Sequence, residues 1–274
     1  MSQLISVSDI RLKTLSSPYH EAFYSIFLLP ESTRYIVDGT DYNTTTAVAL
    51  FLSPYQRLEF CAEKLYEGVV RLLKFHGDYY CIEQHKEEVA CNGLLFNNAY
   101  LSPHVAMQDS VFRKVGQLTD DILDTAGINN RFTEAVRKSY LQLILALCSK
   151  AKSEQIAVEA QTEDALLASF QHLLTQHHQR ERSVAFYADL LGCTPEALSR
   201  RVKAIIGKTA TQLVQDQVIL TAKRQLHLTR RSIKEIATEM NFDDEYYFSR
   251  YFKRHTGLSP KHFRAEVGIS VVAQ

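Results

Sequence analysis

The most restrictive feature of this 274-residue chain is a motif that occurs twice within residues 183–264. At an offset of fifty positions, Leu198-Ser199-Arg200 aligns with Phe248-Ser249-Arg250. Further aligned pairs are Gly207 with Gly257 at the same offset and, at an offset of forty-nine, Ala188 with Ala237, Leu191 with Met240 and Gly192 with Asn241. The second copy therefore has one additional residue in its turn. A repeat of this kind predicts two copies of one supersecondary unit.

The first copy, residues 183–207, is predicted to fold as a helix, a tight turn and a second helix. Gly192 can adopt the positive φ that ends the first helix. Thr194 followed by Pro195 is typical of the start of the second. The apolar spacing of that helix predicts a buried stripe of Leu198, Val202 and Ile205 or Ile206. Its opposite face carries Glu196, Ser199, Arg200 and Lys203.

The second copy, residues 232–257, shows the same order of signals. Ser232 and Glu235 form a capping box, and Asn241 replaces glycine because asparagine tolerates left-handed geometry. Asp243 is predicted to cap the following helix, with Asp244 in its first turn. That helix is expected to bury Phe248 and Phe252. Its outward positions are Glu245, Tyr246, Ser249, Arg250 and Lys253.

The segment 209–228 that joins the copies is predicted to be one long helix. Thr209 and Gln212 form a capping box, and apolar residues recur at helical spacing behind it. A rigid helix fixes the separation of two recognition units. Reading of DNA requires such a fixed distance, since successive major-groove faces lie about 34 Å apart.

These residues resemble the signature of AraC-type bacterial transcription regulators. The resemblance covers residues 183–264 and is carried by Ser232-Ile233-Lys234-Glu235-Ile236-Ala237, Asn241-Phe242, Tyr247-Phe248-Ser249-Arg250-Tyr251-Phe252-Lys253-Arg254-His255-Thr256-Gly257-Leu258-Ser259-Pro260 and Phe263-Arg264. The family usually has Gly-Phe in place of Asn241-Phe242, a mild exchange. The resemblance implies two recognition helices in major grooves on one side of double-stranded DNA. It assigns base contacts to Glu196, Ser199, Arg200, Glu245, Tyr246, Ser249 and Arg250, with Lys203 and Lys253 beside them.

The side-chain chemistry of these two faces agrees with that assignment. Arginine matches the two major-groove acceptors of guanine, serine can donate or accept, and glutamate can accept from the amino group of cytosine. The alternative is a solvated helix face with ordinary salt bridges, which many surface arginines form. The Ser-Arg pair recurs at the same register in both copies, which favours DNA recognition for the face as a whole.

Length and charge both indicate two domains. A chain of 274 residues exceeds what one core usually serves. Residues 161–274 contain 16 Lys and Arg against 12 Asp and Glu, a formal charge of +4, whereas the remainder contains 15 against 19, a charge of −4. We therefore expect an effector-binding and dimerisation domain over 1–155 and a DNA-binding domain over 163–274.

The N-terminal part is rich in short β-branched and aromatic segments. Strands are predicted over 23–29, 34–37, 47–52, 57–61 and 68–75, with Asp38-Gly39 as a hairpin turn. This spacing predicts a small β-barrel, which resembles the cupin-like effector domain common in the family. The fold class is therefore α+β. The barrel is predicted to enclose a small-molecule effector, with Tyr24, Arg34, Phe51, Arg57 and Arg71 as candidate lining residues. For each residue taken singly, ordinary core packing or solvation is the favoured explanation.

The sequence argues against an enzyme, a metal site and a bound cofactor. Cupin catalysts use paired histidines one residue apart, whereas His20, His76, His85 and His104 are scattered here. The five cysteines contain no CxxC spacing and predict buried reduced thiols, with a redox sensor as the alternative. No catalytic residue is assigned. Two rival functions stay open, namely a regulator without an effector and an enzyme with a DNA-binding appendage.

Helices are predicted between the strands and the repeat. Segments 78–90, 108–125 and 132–150 have helical patterns. The last two are most simply explained by packing against the barrel, whereas the family resemblance implies that they mediate homodimer formation. Residues 150–162 are predicted to contain the interdomain linker, and 164–178 a further helix. No window approaches the ~18 apolar residues of a membrane span, and the N-terminus lacks a secretory signal. We therefore expect a cytoplasmic protein, with RNA polymerase as a further candidate partner.

Overall fold

A computed structural model describes residues 4–61, 66–80, 93–128, 130–159 and 164–269, with the side chains of 158 and 159 left out. The chain divides into two compact units. The N-terminal unit comprises residues 1–98 and 102–158, and the helical unit comprises 99–101 and 159–274. Strands lie in the first and the repeated helices in the second, so the α+β class is confirmed.

The N-terminal unit contains eight described strands in two antiparallel sheets. The strands are β1 (Ile5–Arg11), β2 (Tyr24–Leu29), β3 (Arg34–Val37), β4 (Thr40–Asn43), β5 (Val48–Leu52), β6 (Leu58–Phe60), β7 (Val69–Phe75) and β8 (His104–Ala106). The larger sheet has the order β1-β7-β2-β5-β8 and the smaller one β4-β3-β6.

Five strands were predicted, and each corresponds to an observed one. The hairpin between β3 and β4 forms as expected, because Asp38 and Gly39 both have positive φ, 49° and 80°, and Val37 pairs with Thr40. Strands β1, β4 and β8 were not predicted. β8 has three residues, which is too few for an alternating pattern to be recognised.

The two faces of the larger sheet bury different layers. On β2, Ile26 and Leu28 pack against the helical side, whereas Phe27 and Leu29 face a second cluster that includes Tyr35 of the smaller sheet. This alternation follows from the two-residue period of a strand. All six residues of β2 are consequently buried.

Two long helices complete the N-terminal unit, α1 (Asp109–Asp124) and α2 (Arg131–Glu159). The segment 150–162, predicted to contain the interdomain linker, includes the division between the two units after residue 158, and α2 continues through most of it, as far as Glu159. This segment lacks glycine and proline and is rich in good helix formers, and Lys152 is buried with its ammonium donating to Ser102 and to the His104 carbonyl. Residues 160–163 of the predicted linker, and 81–92 with most of the predicted helix 78–90, lie outside the described residues.

The helical unit consists of α3 (Ala165–His177), α4 (Val184–Leu190), α5 (Pro195–Ile206), α6 (Ala210–Leu228), α7 (Ile233–Glu239), α8 (Glu245–Thr256) and α9 (Pro260–Val267). The long helix α6 lies at its centre and contacts α3, α4 and α5 as well as α7, α8 and α9. None of the described helices is long and apolar enough to cross a membrane.

Candidate nucleic-acid interface

The first helix-turn-helix copy has the predicted turn, the predicted cap of α5 and the predicted buried stripe, whereas Ser183, expected to cap α4, makes no side-chain capping hydrogen bond. Gly192 adopts a φ of 66° in the turn, and the Thr194 hydroxyl accepts from the Ala197 amide at 3.2 Å. Leu198 and Val202 are 0% and 1% exposed. The opposite face of α5 carries Glu196, Ser199, Arg200 and Lys203, all exposed except Ser199, which is half-buried. The prediction of which face of α5 is outward is confirmed.

The second copy repeats this arrangement with one correction. Asn241 has a left-handed φ of 55°, as predicted. The cap of α8 is Asp244, whose carboxylate accepts from the Tyr247 amide at 2.6 Å, so the prediction of Asp243 as the cap is wrong. The additional residue in this turn moves the helix start by one position. Asp244 aligns with Thr194, the cap of α5, at the offset of fifty, and the repeat therefore indicates Asp244 as the cap of α8.

The exposed and buried faces of α8 follow the prediction. Phe248 and Phe252 are both 0% exposed, whereas Tyr246 is 70% exposed. The outward face contains Glu245, Tyr246, Ser249, Arg250 and Lys253, of which Glu245 and Ser249 are half-buried and the others exposed. Two helices of equal length, twelve residues each, thus present related polar faces to solvent.

The cationic side chains on these faces have no carboxylate partner in the described part of the chain. Among the described residues, Arg200, Lys203, Arg250 and Lys253 form no ion pair within 4.0 Å. Arg201, next to Arg200 on α5, instead pairs with Asp164, which caps α3. Unpaired exposed guanidinium and ammonium groups are the ones available to phosphates and base edges.

The outward side of α5 also borders an open depression of about 420 Å³. Its lining residues are Ser199, Arg200, Lys203, Ala204 and Thr209. Four of these five residues belong to α5, and Thr209 caps the joining helix α6. The first recognition face is therefore concave where α5 meets α6.

The joining helix is attached to the segments around it by buried polar contacts. Lys208, 8% exposed, donates to the Asp216 carboxylate at 2.7 Å. The ring of His178, next to α3, hydrogen-bonds through Nδ1 to the Leu174 carbonyl at 2.8 Å and through Nε2 to the Thr221 hydroxyl at 2.7 Å. Burial lowers the pKa of His178. The predicted capping box of Thr209 and Gln212 is present.

One residue that connects the two copies was not predicted. Arg182 precedes the first copy, and its Nη2 donates to the carbonyls of Met240 and Asn241 in the turn of the second. Its guanidinium carbon lies 3.7 Å from the centroid of the Phe242 ring. The signal that could have found Arg182 is the repeat itself, which aligns it with Arg231 at an offset of forty-nine.

In the N-terminal unit, the candidate effector-lining residues do not line a common site. Tyr24 and Phe51 pack in the cluster on the helical side of the larger sheet. Arg34 pairs with Asp41, Arg57 with Glu59, and Arg71 with Asp9 and Asp120. The favoured explanation of ordinary core packing or solvation fits all five residues, because the two aromatic rings are enclosed in the core and each guanidinium pairs with a carboxylate.

The layer between the two sheets contains a polar pair. The Tyr35 hydroxyl and His104 Nδ1 share a hydrogen bond of 2.6 Å that joins β3 to β8. Burial and, secondarily, the nearby Lys152 ammonium lower the pKa of His104 to about 4, so the imidazole is neutral near pH 7. Across the described ranges, no three His, Cys, Asp or Glu side chains are grouped so as to hold a metal ion.

Three of the five cysteines lie in described segments, and all three are free thiols. Cys148 is buried, which raises the pKa of its thiol, whereas Cys61 and Cys193 are half-buried. Cys81, Cys91 and His85 lie outside the described residues. A buried thiol with a raised pKa is poorly reactive.

Comparison with known proteins identifies the repeated segment. Residues 187–266 match the family model of a helix-turn-helix domain. The arabinose operon regulatory protein of Salmonella typhimurium is 28% identical over 151 residues, 54% of this chain and 52% of that protein, so the match spans about half of its length. The HTH-type transcriptional activator RhaS of Escherichia coli O81 is 24% identical over 250 residues, 90% of this chain and 86% of the relative.

Solved structures give two further similarities. ToxT of Vibrio cholerae O395 aligns over 97% of this chain and 99% of its own, with 13% identity and a TM-score of 0.42. The C-terminal domain of AraT, a response regulator from Geobacillus stearothermophilus, aligns over 40% of this chain and 93% of its own, with 26% identity and a TM-score of 0.37.

Proposed function

We propose that this chain, an AraC-type DNA-binding transcription regulator, reads two neighbouring major-groove segments with α5 and α8. The contacts assigned to α5 are Glu196, Ser199, Arg200 and Lys203, and those assigned to α8 are Glu245, Tyr246, Ser249, Arg250 and Lys253. The observation that carries this proposal is the duplicated outward face, whose arginines and lysines form no ion pair with any described residue in either copy. Arginine and serine at equivalent positions supply base-edge contacts, and the lysines supply phosphate contacts.

Selection from a random duplex library tests this proposal directly. The purified full-length chain is incubated with the library, and the retained fragments are sequenced. We expect two conserved segments separated by about one helical turn, ~10 base pairs. A retained pool without enriched sequence, or with one segment only, would contradict reading by two helices.

The N-terminal unit, assigned to residues 1–155, is proposed to mediate homodimer formation through α2, with residues 163–274 as the DNA-binding domain. Three apolar side chains on α2 are exposed, Phe132 at 68% and Val136 and Leu143 at 43% each. At ~100° per residue they lie within roughly 40° of one another around the helix axis. Such a stripe favours a helix-to-helix contact between two copies of the chain.

Sedimentation of the full chain tests the dimer. Phe132→Glu places a charge in the stripe and should convert the dimer to a monomer at micromolar concentration. The matched control is Gln117→Glu, which makes the same change of charge at an exposed position of α1, outside the stripe. A wild-type chain that sediments as a monomer at every concentration would exclude this interface.

A small-molecule effector is proposed to bind the N-terminal unit and to shift the population of a DNA-competent state. Support comes from the order of the two units and from the names of the relatives, an operon regulator and a transcriptional activator. The shift can be no larger than the difference in effector affinity between the two states. No individual effector contact is assigned.

Titration of extract-derived small molecules against thermal stability and DNA affinity distinguishes the alternatives. An effector changes both quantities. For a regulator controlled only by its abundance, no added compound changes thermal stability or DNA affinity. An enzyme with a DNA-binding appendage would consume the added compound. The output is proposed to be transcription control in the cytoplasm, with RNA polymerase as a partner, and not catalysis.

A further inference from the structure

We propose that Arg182 is a positioning residue that fixes the orientation of the second helix-turn-helix copy relative to the first. It thereby determines which spacing of two DNA segments the chain accepts. This inference rests on the proposed two-segment reading of DNA.

The contacts of Arg182 connect the entrance of one copy to the turn of the other. Arg182 directly precedes Ser183, the N-cap of α4. Its guanidinium donates to the carbonyl of Met240 and, at 3.0 Å, to that of Asn241, and it lies over the ring of Phe242. These three consecutive residues end α7 and form the turn before α8.

The chemistry of this contact suits arginine in particular. Carbonyls at the C-terminus of a helix lack intrahelical partners and carry partial negative charge, which a cation complements. A planar guanidinium can donate in its plane while its face lies on an aromatic ring. The Nε atom of Arg182 is buried and has no hydrogen-bond partner among the described residues. The side chain is therefore held against the turn of the second copy, not extended into solvent.

The equivalent residue of the second copy behaves differently. Arg231 aligns with Arg182 and forms an ion pair with Glu239 inside its own copy. The position equivalent to Glu239 in the first copy is Leu190, which is 55% exposed and has no carboxylate. Arg182 has no such local partner at that position and binds the other copy. Of the two equivalent arginines, Arg182 thus connects the copies, whereas Arg231 contacts only its own copy.

This second connection complements the joining helix mechanically. The helix α6 sets the separation of the copies, but rotation about its axis depends on packing. A contact away from that axis, from Arg182 to the turn of the second copy, restricts this rotation. Binding to DNA is sensitive to this rotation, because one base pair inserted between the two segments turns one segment relative to the other by roughly 35° and moves it by ~3.4 Å.

The test compares full-length wild type with Arg182→Met by fluorescence anisotropy. The probes are the selected two-segment site, the same site with one base pair inserted or deleted between the segments, and sites with either segment scrambled. Wild type should lose about tenfold in affinity when the spacing changes, because the second segment then binds with a lower effective concentration. Arg182→Met should bind the original site about tenfold more weakly and lose less than about threefold on changing the spacing.

Matched controls separate positioning from general stability. Single-segment probes should bind wild type and Arg182→Met equally, Arg182→Lys should restore part of the spacing preference, and Arg231→Met should keep the wild-type preference. A wild-type spacing ratio in Arg182→Met, or an equal loss on single-segment probes, would overturn the proposal. If Arg182→Met does not fold, Phe242→Leu removes the ring beneath the guanidinium, and an unchanged spacing ratio in that variant overturns it. Failure of two-segment reading itself would show in the wild type, as no specific site or as a site with one segment only.

Discussion

The first helix-turn-helix copy passes through Gly192 at a φ of 66°, whereas the second passes through Asn241 at 55°. The following helix begins with the Thr194 hydroxyl and Pro195 in the first copy and with the Asp244 carboxylate in the second. Each pair differs in residue type and agrees in backbone conformation and in the presence of an oxygen acceptor. What the duplication retains is therefore local geometry, which several residues can provide.

The copies differ more in how their cores are filled. The second recognition helix buries two phenylalanines, Phe248 and Phe252, where the first buries Leu198 and Val202. Phe242 adds a third ring, which packs against Phe248, Tyr247 and Tyr251. The second copy is consequently the more aromatic, and loss of one ring should leave the larger cavity.

The largest predicted effect measures this difference in packing. Phe252→Ala should lower the free energy of unfolding by about 3–5 kcal/mol, and the equivalent Val202→Ala by about 2 kcal/mol, since fewer buried atoms are removed. Urea denaturation followed by circular dichroism gives both values. Equal destabilisation by the two substitutions would show that the aromatic core of the second copy is not packed as described.

The next prediction asks whether both faces read DNA. Arg200→Ala and Arg250→Ala should each cost about 1–3 kcal/mol on the selected site and relax specificity at one base pair, each in a different segment. Competition binding with single-base variants of the site provides the measurement. Arg201→Ala is the control, because its guanidinium is already paired with Asp164. A loss that is uniform over all sequences would assign the arginine to a phosphate.

The turns provide a smaller effect. Gly192→Ala should destabilise the helical unit by about 1–2 kcal/mol, because alanine is strained at a left-handed φ. Asn241→Gly should change stability by less than ~0.5 kcal/mol, since both residues tolerate that conformation. The thermal unfolding midpoints of the two variants, compared with that of the wild type, measure both changes in stability. A neutral Gly192→Ala would mean that the first turn can adopt another conformation.

Acid should affect the contact between α3 and α6 through His178. Burial lowers the pKa of this ring in the folded protein below the unfolded value of ~6.5, so the unfolded chain binds more protons at low pH. The contribution of neutral His178 to the free energy of unfolding is complete above pH ~6.5. It declines as the pH falls toward the folded-state pKa, by at most ~1.4 kcal/mol per pH unit.

His178→Gln should therefore flatten the dependence of stability on pH below 6.5. The comparison in the second copy is His255, on α8, whose pKa is also lowered by burial and then by Arg254. The His255 ring forms no hydrogen bond to a described residue, and His255→Gln tests whether burial alone lowers stability in acid. A pH dependence unaltered by His178→Gln would assign the effect to another group.

The sequence predicted those features that depend on neighbouring residues. The caps at Thr194, Thr209 and Ser232 and the left-handed Asn241 follow from side chains within a few positions of one another, and they are confirmed. The cap of α8 was misplaced because Asp243 and Asp244 are chemically equivalent there. Only the repeat, at its offset of fifty, distinguishes them.

Features that depend on distant contacts were not predictable in the same way. The continuation of α2 past residue 150 involves Lys152, which is buried against Ser102. The contact from Arg182 to Met240 joins residues 58 positions apart. The two faces of the larger sheet are both apolar, so alternation alone did not tell which face Tyr24 and Phe51 would share. The DNA contacts themselves remain predictions.

The central position of α6 has a consequence for how the helical unit unfolds. Its first half, with Ala210, Leu213 and Val214, belongs to the same hydrophobic cluster as α5, while the carbonyl of Leu226 near its end accepts from Arg264 of α9. Unfolding of either copy exposes one side of this shared helix to solvent and so removes packing contacts that stabilise the other copy. The two helix-turn-helix copies should therefore unfold together as one cooperative unit. The amide protons of α5 and α8 should then exchange at similar rates, and an intermediate with only one copy folded should not accumulate.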